Sequence, residues 1–318
     1  MLRLAARRVL TIIPVLLLVS LGTFLLVDLG PGDPAAEILG ETGTAADYAR
    51  IRGELGLDKP VAERYVDWLG GVLHGDLGNN LVPPIEHVST RLARAFPVNL
   101  ELAALALAMA LAISMPLAMW SAYRAGRRAD RWVSAGTIAV ISVPSFLAGL
   151  VLLLLLAINV RWFPLGQWAR PTEEGWLTNL HHAFLPAFTL ALAEAPVFTR
   201  LLRSDLVTTL QEDFILAARA RGMPTWHILL REALRPSSFS LLTLAGVSVG
   251  RLIGGTILIE GVFNLPGMGK VITDAARAND YTLVQGGVLV IATVYVVVNL
   301  VVDLGYQWFD PRIRRGRT

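Results

Sequence analysis

Six blocks of this 318-residue chain are apolar over the roughly 20 residues that a helix needs to cross about 30 Å of hydrocarbon. They cover residues 9–29, 97–123, 131–160, 183–202, 237–262 and 283–309. Lipid offers backbone polar groups no solvent partner, so each block is read as a membrane-spanning helix. Composition agrees: 17% of residues are charged and 54% hydrophobic, whereas a soluble domain carries about 25% charge. The expected fold is an all-α membrane protein with six transmembrane helices. The 131–160 block is longer than a span requires and contains Pro144, which predicts a tilted or kinked helix.

Arg3, Arg7 and Arg8 before the first block resemble the start of a signal peptide. The apolar core that follows exceeds the usual 7–15 residues and no small-residue cleavage site follows it, so an uncleaved anchor is expected. The sequence pI of 9.5 reflects distribution across the membrane and does not point to nucleic acid. Seventeen basic residues fall on one side: Arg3, Arg7 and Arg8, then Arg124, Arg127, Arg128 and Arg131, six arginines from Arg200 to Arg235, and Arg312, Arg314, Arg315 and Arg317. Six acids share that side (Asp130, Asp205, Glu212, Asp213, Glu232 and Asp310). The positive-inside rule then places both termini in the cytoplasm.

The expected organisation is an N-terminal anchor helix over 1–30, an extracytoplasmic cap over 31–96, a core transmembrane domain over 97–309 and a basic tail over 310–318. A cytoplasmic loop interrupts the core at 203–236. Within the cap, Pro31-Gly32-Asp33-Pro34 is a helix-stopping turn. Ala45–Leu55 reads as a short helix, residues 56–60 as a turn, and Val61–Leu73 as a second helix with apolar residues at helical spacing. Trp162, Trp168 and Trp176 in a further outer loop suit the membrane interface.

Catalytic signatures are missing. Asn264-Leu265-Pro266-Gly267-Met268-Gly269-Lys270-Val271 has the wrong first and last residues for a phosphate-binding loop and reads as a glycine turn. His181 and His182 are adjacent, which points helical side chains about 100° apart and suits no shared metal. With no cysteine, disulfides and thiolate metal sites are excluded, and no nucleophile elbow accompanies the serines. Nothing argues for an enzyme, and no metal or cofactor is expected on this chain.

Ionisable groups within spans are costly and invite a functional reading. Asp28, Glu101 and Asp303 are expected near span ends, where solvent reaches them. Glu194 and Arg251 lie deeper, either lining a path or pairing internally or with a partner subunit. Gly246, Gly250 and Gly254 form a smooth stripe that permits close helix approach. Together with Glu260 these residues are the candidates for the pathway or a subunit interface.

The segment Glu212-Asp213-Phe214-Ile215-Leu216-Ala217-Ala218-Arg219-Ala220-Arg221-Gly222 is the most structured part of the loop. Ala217, Ala218 and Ala220 give a flat helix surface, and Gly222 with Pro224 ends the helix sharply. A second amphipathic helix is expected through Trp226 and His227 to Leu234-Arg235-Pro236. Such a shape suits docking into a groove on a partner protein.

In order along nearly the whole chain, the sequence resembles the permease subunits of binding-protein-dependent ABC importers, in the dipeptide/oligopeptide (OppB/DppB-like) group. The resemblance rests on Arg7-Arg8, Leu29 to Pro34, Leu55-Gly56-Leu57-Asp58-Lys59-Pro60, Trp68-Leu69-Gly70-Gly71 and Gly75-Asp76-Leu77-Gly78. It continues through Asp213-Phe214-Ile215, Ala218 to Gly222, Glu260-Gly261-Val262-Phe263 and Pro266-Gly267-Met268-Gly269. Asp280-Tyr281, Val284-Gln285-Gly286 and Asp310-Pro311-Arg312-Ile313-Arg314 complete it.

The resemblance implies a type I ABC importer permease fold in the bacterial cytoplasmic membrane, with a translocation path shared with a second, homologous permease. It implies an extracytoplasmic substrate-binding protein and cytoplasmic ATP-binding subunits, which hold the ATP and magnesium. Residues 212–221 would be the coupling helix that docks on those subunits. Leu216 stands where related importers often have glutamate, and Arg235 where proline is common, so charge contacts would fall to Asp213, Arg219 or Arg221. The implied cargo is a di- or oligopeptide, with nickel or another small solute as the alternative. A stand-alone secondary transporter would predict inverted repeats and broken helices, which are not visible.

Overall fold

The computed structural model describes residues 2–29, 34–39 and 44–309. The turn at 31–33, the tail at 310–318 and the side chains of Arg3, Arg7, Arg8, Asp28 and Asp303 lie outside the described residues. Among the described residues the fold is helical throughout, with one isolated bridge between Asn79 and His87. The helices are α1 (Leu2–Leu29), α2 (Pro34–Leu39), α3 (Ala45–Leu55), α4 (Val61–Leu73), α5 (Val88–Tyr123), α6 (Arg128–Ile141), α7 (Ser145–Leu152) and α8 (Pro171–Glu174). There follow α9 (Trp176–Thr209), α10 (Asp213–Ala220), α11 (Thr225–His227), α12 (Leu234–Gly254), α13 (Ile257–Val262), α14 (Met268–Arg277) and α15 (Tyr281–Phe309).

The chain is an all-α membrane protein. Four helical segments among the described residues are long and apolar enough to cross a bilayer: Val88–Tyr123, Trp176–Thr209, Thr225–Gly254 and Tyr281–Val302. Arg128–Ile141 and Ser145–Asn159 together make a fifth, bent by 95° where Ser142, Val143 and Pro144 interrupt the helix. Proline disfavours helical geometry in the residue before it, so the expected kink becomes a near right angle. The apolar stretch Thr11–Leu25 within α1 accounts for the sixth block.

One compact unit comprises Met1–Asn99 and Pro266–Leu300. Its short helices end where local chemistry dictates. Thr44 caps α3 in a reciprocal box with Asp47, and Gly56 closes it at φ 62°, a left-handed conformation that favours glycine. Helix α4 packs on α1 through Phe24, Tyr65 and Trp68, with Phe24–Tyr65 ring centroids 5.4 Å apart, and Ser20 Oγ lies 2.8 Å from the Tyr65 hydroxyl. The core of this unit joins Val88, Leu92 and Ala95 of α5 to Met268, Ala275 and Leu283. Asn99 Oδ1 accepts from the Met268 backbone N–H at 2.8 Å, which satisfies an orphan donor at the start of α14.

The second unit comprises Leu100–Leu265 and Val301–Thr318. Helix α9 is its axis, with two-thirds of its most apolar window buried. Helices α6, α7 and α12 pack on it, and Phe198, Leu202 and Leu206 form a core with Ala110 and Ala118 of α5 and Leu241 and Ala245 of α12. Gly149 of α7 admits Thr189 and Phe263, which a Cβ there would meet at 3.1 and 3.3 Å.

Three boundaries differ from those expected. Helix α5 begins at Val88 and runs through Pro97, so Glu101 lies well inside a helix and not near its end. The 237–262 block is not one span: α12 stops at Gly254, and α13 is a separate short helix after Gly255 and Thr256. The third difference concerns Pro236, which terminates nothing. From Thr225 the chain stays helical to Gly254, with a π turn at Ile228–Ala233. Pro236 has no N–H for the carbonyl of Glu232, and the wider turn lies directly before it.

Candidate functional site

Helix α10 is short because both of its ends are set by sequence. Glu212 stands at its N-cap in extended conformation and Asp213 in its first turn, while Arg219 occupies its last, each charge complementing the helix dipole. After Arg221 the chain turns at Gly222, φ 75°, whose N–H bonds the Arg219 carbonyl at 2.9 Å. Pro224 then starts the next helix, the one that continues into α12. A short helix is thereby joined to a membrane-length helix by a turn of a few residues.

The two faces of α10 differ. Ile215 and Ala218 are fully buried and pack with Leu206, Leu210 and Ile228 in the main core. Phe214, Leu216, Ala217, Arg219, Ala220 and Arg221 are exposed, as is Trp226 just beyond the turn. The exposed face therefore combines two large apolar side chains with two arginines, a composition typical of interfaces. Beside it lies a cavity of about 530 Å³ lined by Tyr123, Arg127, Gln211, Arg219, Met223 and Thr225 among others.

Under this surface sits a pair that charge counting alone does not reveal. Arg203 of α9 grips Asp130 of α6 with Nε to Oδ1 at 2.5 Å and Nη2 to Oδ2 at 2.6 Å. Ser121 Oγ and the Gly126 N–H also donate to that carboxylate, at 2.6 and 2.9 Å. Asp130 is buried and fully satisfied, so the end of α5, the start of α6 and α9 are clamped together. The one clue in the sequence is an aspartate inside a run of arginines, and its partner stands 73 residues away.

The deeper candidates divide. Glu194 is buried and accepts from Arg251 Nη2 at 2.5 Å and Ser248 Oγ at 2.9 Å, an internal ion pair between α9 and α12. On α12, Gly250 is buried, and Gly246 and Gly254 are partly buried. Glu260 is buried in α13 and accepts a hydrogen bond from Thr256 Oγ1. Glu101 has a buried Oε1 without a partner among the described residues. His181 and His182 contact the Trp162 and Gln167 carbonyls, so each is engaged by the loop before α8.

Residues 114–315 match the model of the family described as "Binding-protein-dependent transport system inner membrane component". Residues 1–83 match its N-terminal companion, "Binding-prot-dependent transport system membrane comp, N-term". The chain belongs to this family. Its family makes it a multi-pass inner-membrane permease, and the membrane-length helices above agree with that. Among curated relatives, the "Probable peptide ABC transporter permease protein y4tP" of Sinorhizobium fredii is 35% identical over 311 residues, covering 97% of this chain and 98% of the relative. The oligopeptide transport system permease protein AppB of Bacillus subtilis is 33% identical over 308 residues, covering 96% and 98%. The permease's α10 and the turn at Gly222 fall inside the family match, as does the Asp130–Arg203 clamp.

Proposed function

We propose that this permease is one of two membrane subunits of an ATP-driven importer of di- or oligopeptides, and that α10 is the helix through which partner ATPases move it. The observation that carries the coupling role is the division of α10: Ile215 and Ala218 anchor it to the permease core while Phe214 and Leu216 face outward. A helix fixed on one side and free on the other transmits a push from a docked partner, and the helix starting at Thr225 carries it into the membrane. The peptide cargo is supported by the printed names of relatives aligned over nearly the whole chain.

In this reading the arginine-rich loops face the cytoplasm and the unit with α3 and α4 faces the substrate-binding protein. ATP binding and hydrolysis in the partners shift the permease between inward- and outward-open states, and this chain supplies the path and the linkage. Reconstituting the permease with its second permease, ATPases and binding protein in proteoliposomes tests the reading. ATP-dependent uptake of a labelled peptide supports it; uptake without ATP, or of no peptide at all, contradicts it.

A further inference from the structure

The first unit contains a cavity of about 430 Å³, inside the range of about 300–1,000 Å³ usual for small-molecule sites. Four stretches far apart in the sequence make its wall. They are Phe24 of α1, the stretch from Gly53 to Trp68, the loop from Leu77 to Leu81, and Thr282 and Gln285 in the first turns of α15. Two glycines let the loop and α15 approach. A Cβ on Gly78, at φ 79°, would meet Thr282 Cγ2 at 3.1 Å, and one on Gly286 would meet Val88 Cγ1 at 2.8 Å and Leu77 Cβ at 3.6 Å. Thr282 and Gln285 are thereby held beside the loop.

Gln285 is the group this cavity leaves unsatisfied. Only 7% of the residue is exposed, yet its amide makes no hydrogen bond among the described residues. A buried polar group without a partner costs about 1–3 kcal/mol, so a guest here finds both a donor and an acceptor to pair with. The Thr282 hydroxyl on the same wall also lacks a partner among the described residues. The charged part of the lining is a pair, Lys59 Nζ and Asp67 Oδ2 at 2.6 Å, with both side chains about half exposed. An exposed pair is worth at most about 1 kcal/mol, so either member changes partner cheaply. Arg64 is buried with its Cζ 5.4 Å from the Phe24 ring centroid, and it adds a second positive charge to the lining.

We infer that this cavity is a receiving site for one end of a short peptide. Its backbone pairs with the Gln285 amide, and a terminal charge is met by Lys59 or Asp67. An amide that offers a donor and an acceptor matches a peptide unit, which carries one C=O and one N–H. A phosphate is all acceptor and would leave the Gln285 oxygen unpaired. Phe24, Trp68 and Leu81 supply apolar wall to the peptide's side chains without demanding a particular one. The inference rests on the peptide reading above.

The test uses the assembled transporter without its binding protein, with Asn79→Cys as the one cysteine of this chain. Asn79 is an exposed residue of the cavity wall. The readout is the rate at which N-ethylmaleimide modifies that cysteine, followed by the mass of this chain. Trialanine should slow the modification, and N-acetyl-trialanine amide, which has no terminal charge, should do so only at higher concentration. Gln285→Met keeps the shape and removes the amide. It should raise the trialanine concentration for half-protection about two- to tenfold, the worth of one hydrogen bond. The same variant should not lower the melting temperature, because it removes an unpaired buried amide; a packing role would lower it. Thr282→Val should shift half-protection in the same direction, and it serves alone if the methionine variant does not assemble. Equal protection in the parent and in both variants overturns the inference. Protection by glycerophosphoethanolamine but not by trialanine overturns it too and assigns the cavity to a lipid headgroup. Uptake of trialanine by the complete transporter with no protection of the cysteine overturns it while leaving the peptide reading in place. Uptake of no peptide at all removes the peptide reading and this site with it.

Discussion

Ile215 and Ala218 stand three positions apart on α10 and are both sealed against the core built on Leu206 and Leu210. Substitutions on this short helix therefore act in two different ways. Ile215→Ala should destabilise the permease by about 2–4 kcal/mol through lost burial and a residual cavity. Phe214→Ala combined with Leu216→Ala should leave the thermal unfolding of the purified permease within a degree or two and sharply reduce ATPase co-purification. Ala218→Glu removes both properties, because it buries a charge before any partner is met. Thermal melts in detergent, read beside pull-down yields, separate the two classes.

Gly222 is required by backbone and not by space. Its φ of 75° is left-handed, and a Cβ there would meet nothing within 4 Å. Gly222→Ala should cost about 1 kcal/mol and Gly222→Val about 2 kcal/mol, with no clash to relieve. A Gly222→Asn variant, which tolerates this region, should recover most of the difference in both melting temperature and transport.

The Asp130–Arg203 clamp should behave as a coupled unit. Asp130→Ala strands the Arg203 guanidinium and should cost about 3 kcal/mol, toward the low end for a buried pair because the Arg203 side chain is 29% exposed. Arg203→Lys keeps the charge but loses the two-pronged contact, so it should not restore wild-type stability. A double-mutant cycle on the two positions should give a coupling energy well above 0.5 kcal/mol.

At Gly287, a Cβ would come within 2.5 Å of Ile272 Cγ1, and at Gly286 within 2.8 Å of Val88 Cγ1. Here space decides. Gly287→Val should destabilise the unit that holds α5, α14 and α15 by about 1–3 kcal/mol, and Ile272→Ala should relieve part of that cost in the double variant.

The sequence was most readable where a local signal closes an element. Thr44, Gly56 and Pro60 bracket two helices whose ends agree with the expected Ala45–Leu55 and Val61–Leu73, and Glu212 with Gly222 bracket α10. Hydropathy failed where packing overrides it. Pro97 looked like a helix start, but Leu92 and Ala95 are buried in the core of their unit and the helix extends back to Val88. The Gly254–Gly255 break is invisible to a hydropathy window because α13 beyond it is as apolar as a span. The Asp130–Arg203 pair was beyond reach for a different reason: its partners are 73 residues apart, so composition fixes only the charges and not which of them meet. Glu194 and Arg251 stood out as deep charges with internal pairing among their readings, and that is the arrangement found.

The central claim, that the outward face of α10 is where partner ATPases dock, is open to a direct measurement because the chain contains no cysteine. Single cysteines are placed at Ala217 and Ala220 on the exposed face of α10 and, for comparison, at Leu73, an exposed position at the end of α4. The assembled transporter is then treated with a short bifunctional thiol cross-linker. The account predicts adducts between the ATPase and the cysteines at 217 and 220, and none from 73. Cross-linking from position 73 with none from α10 would contradict it.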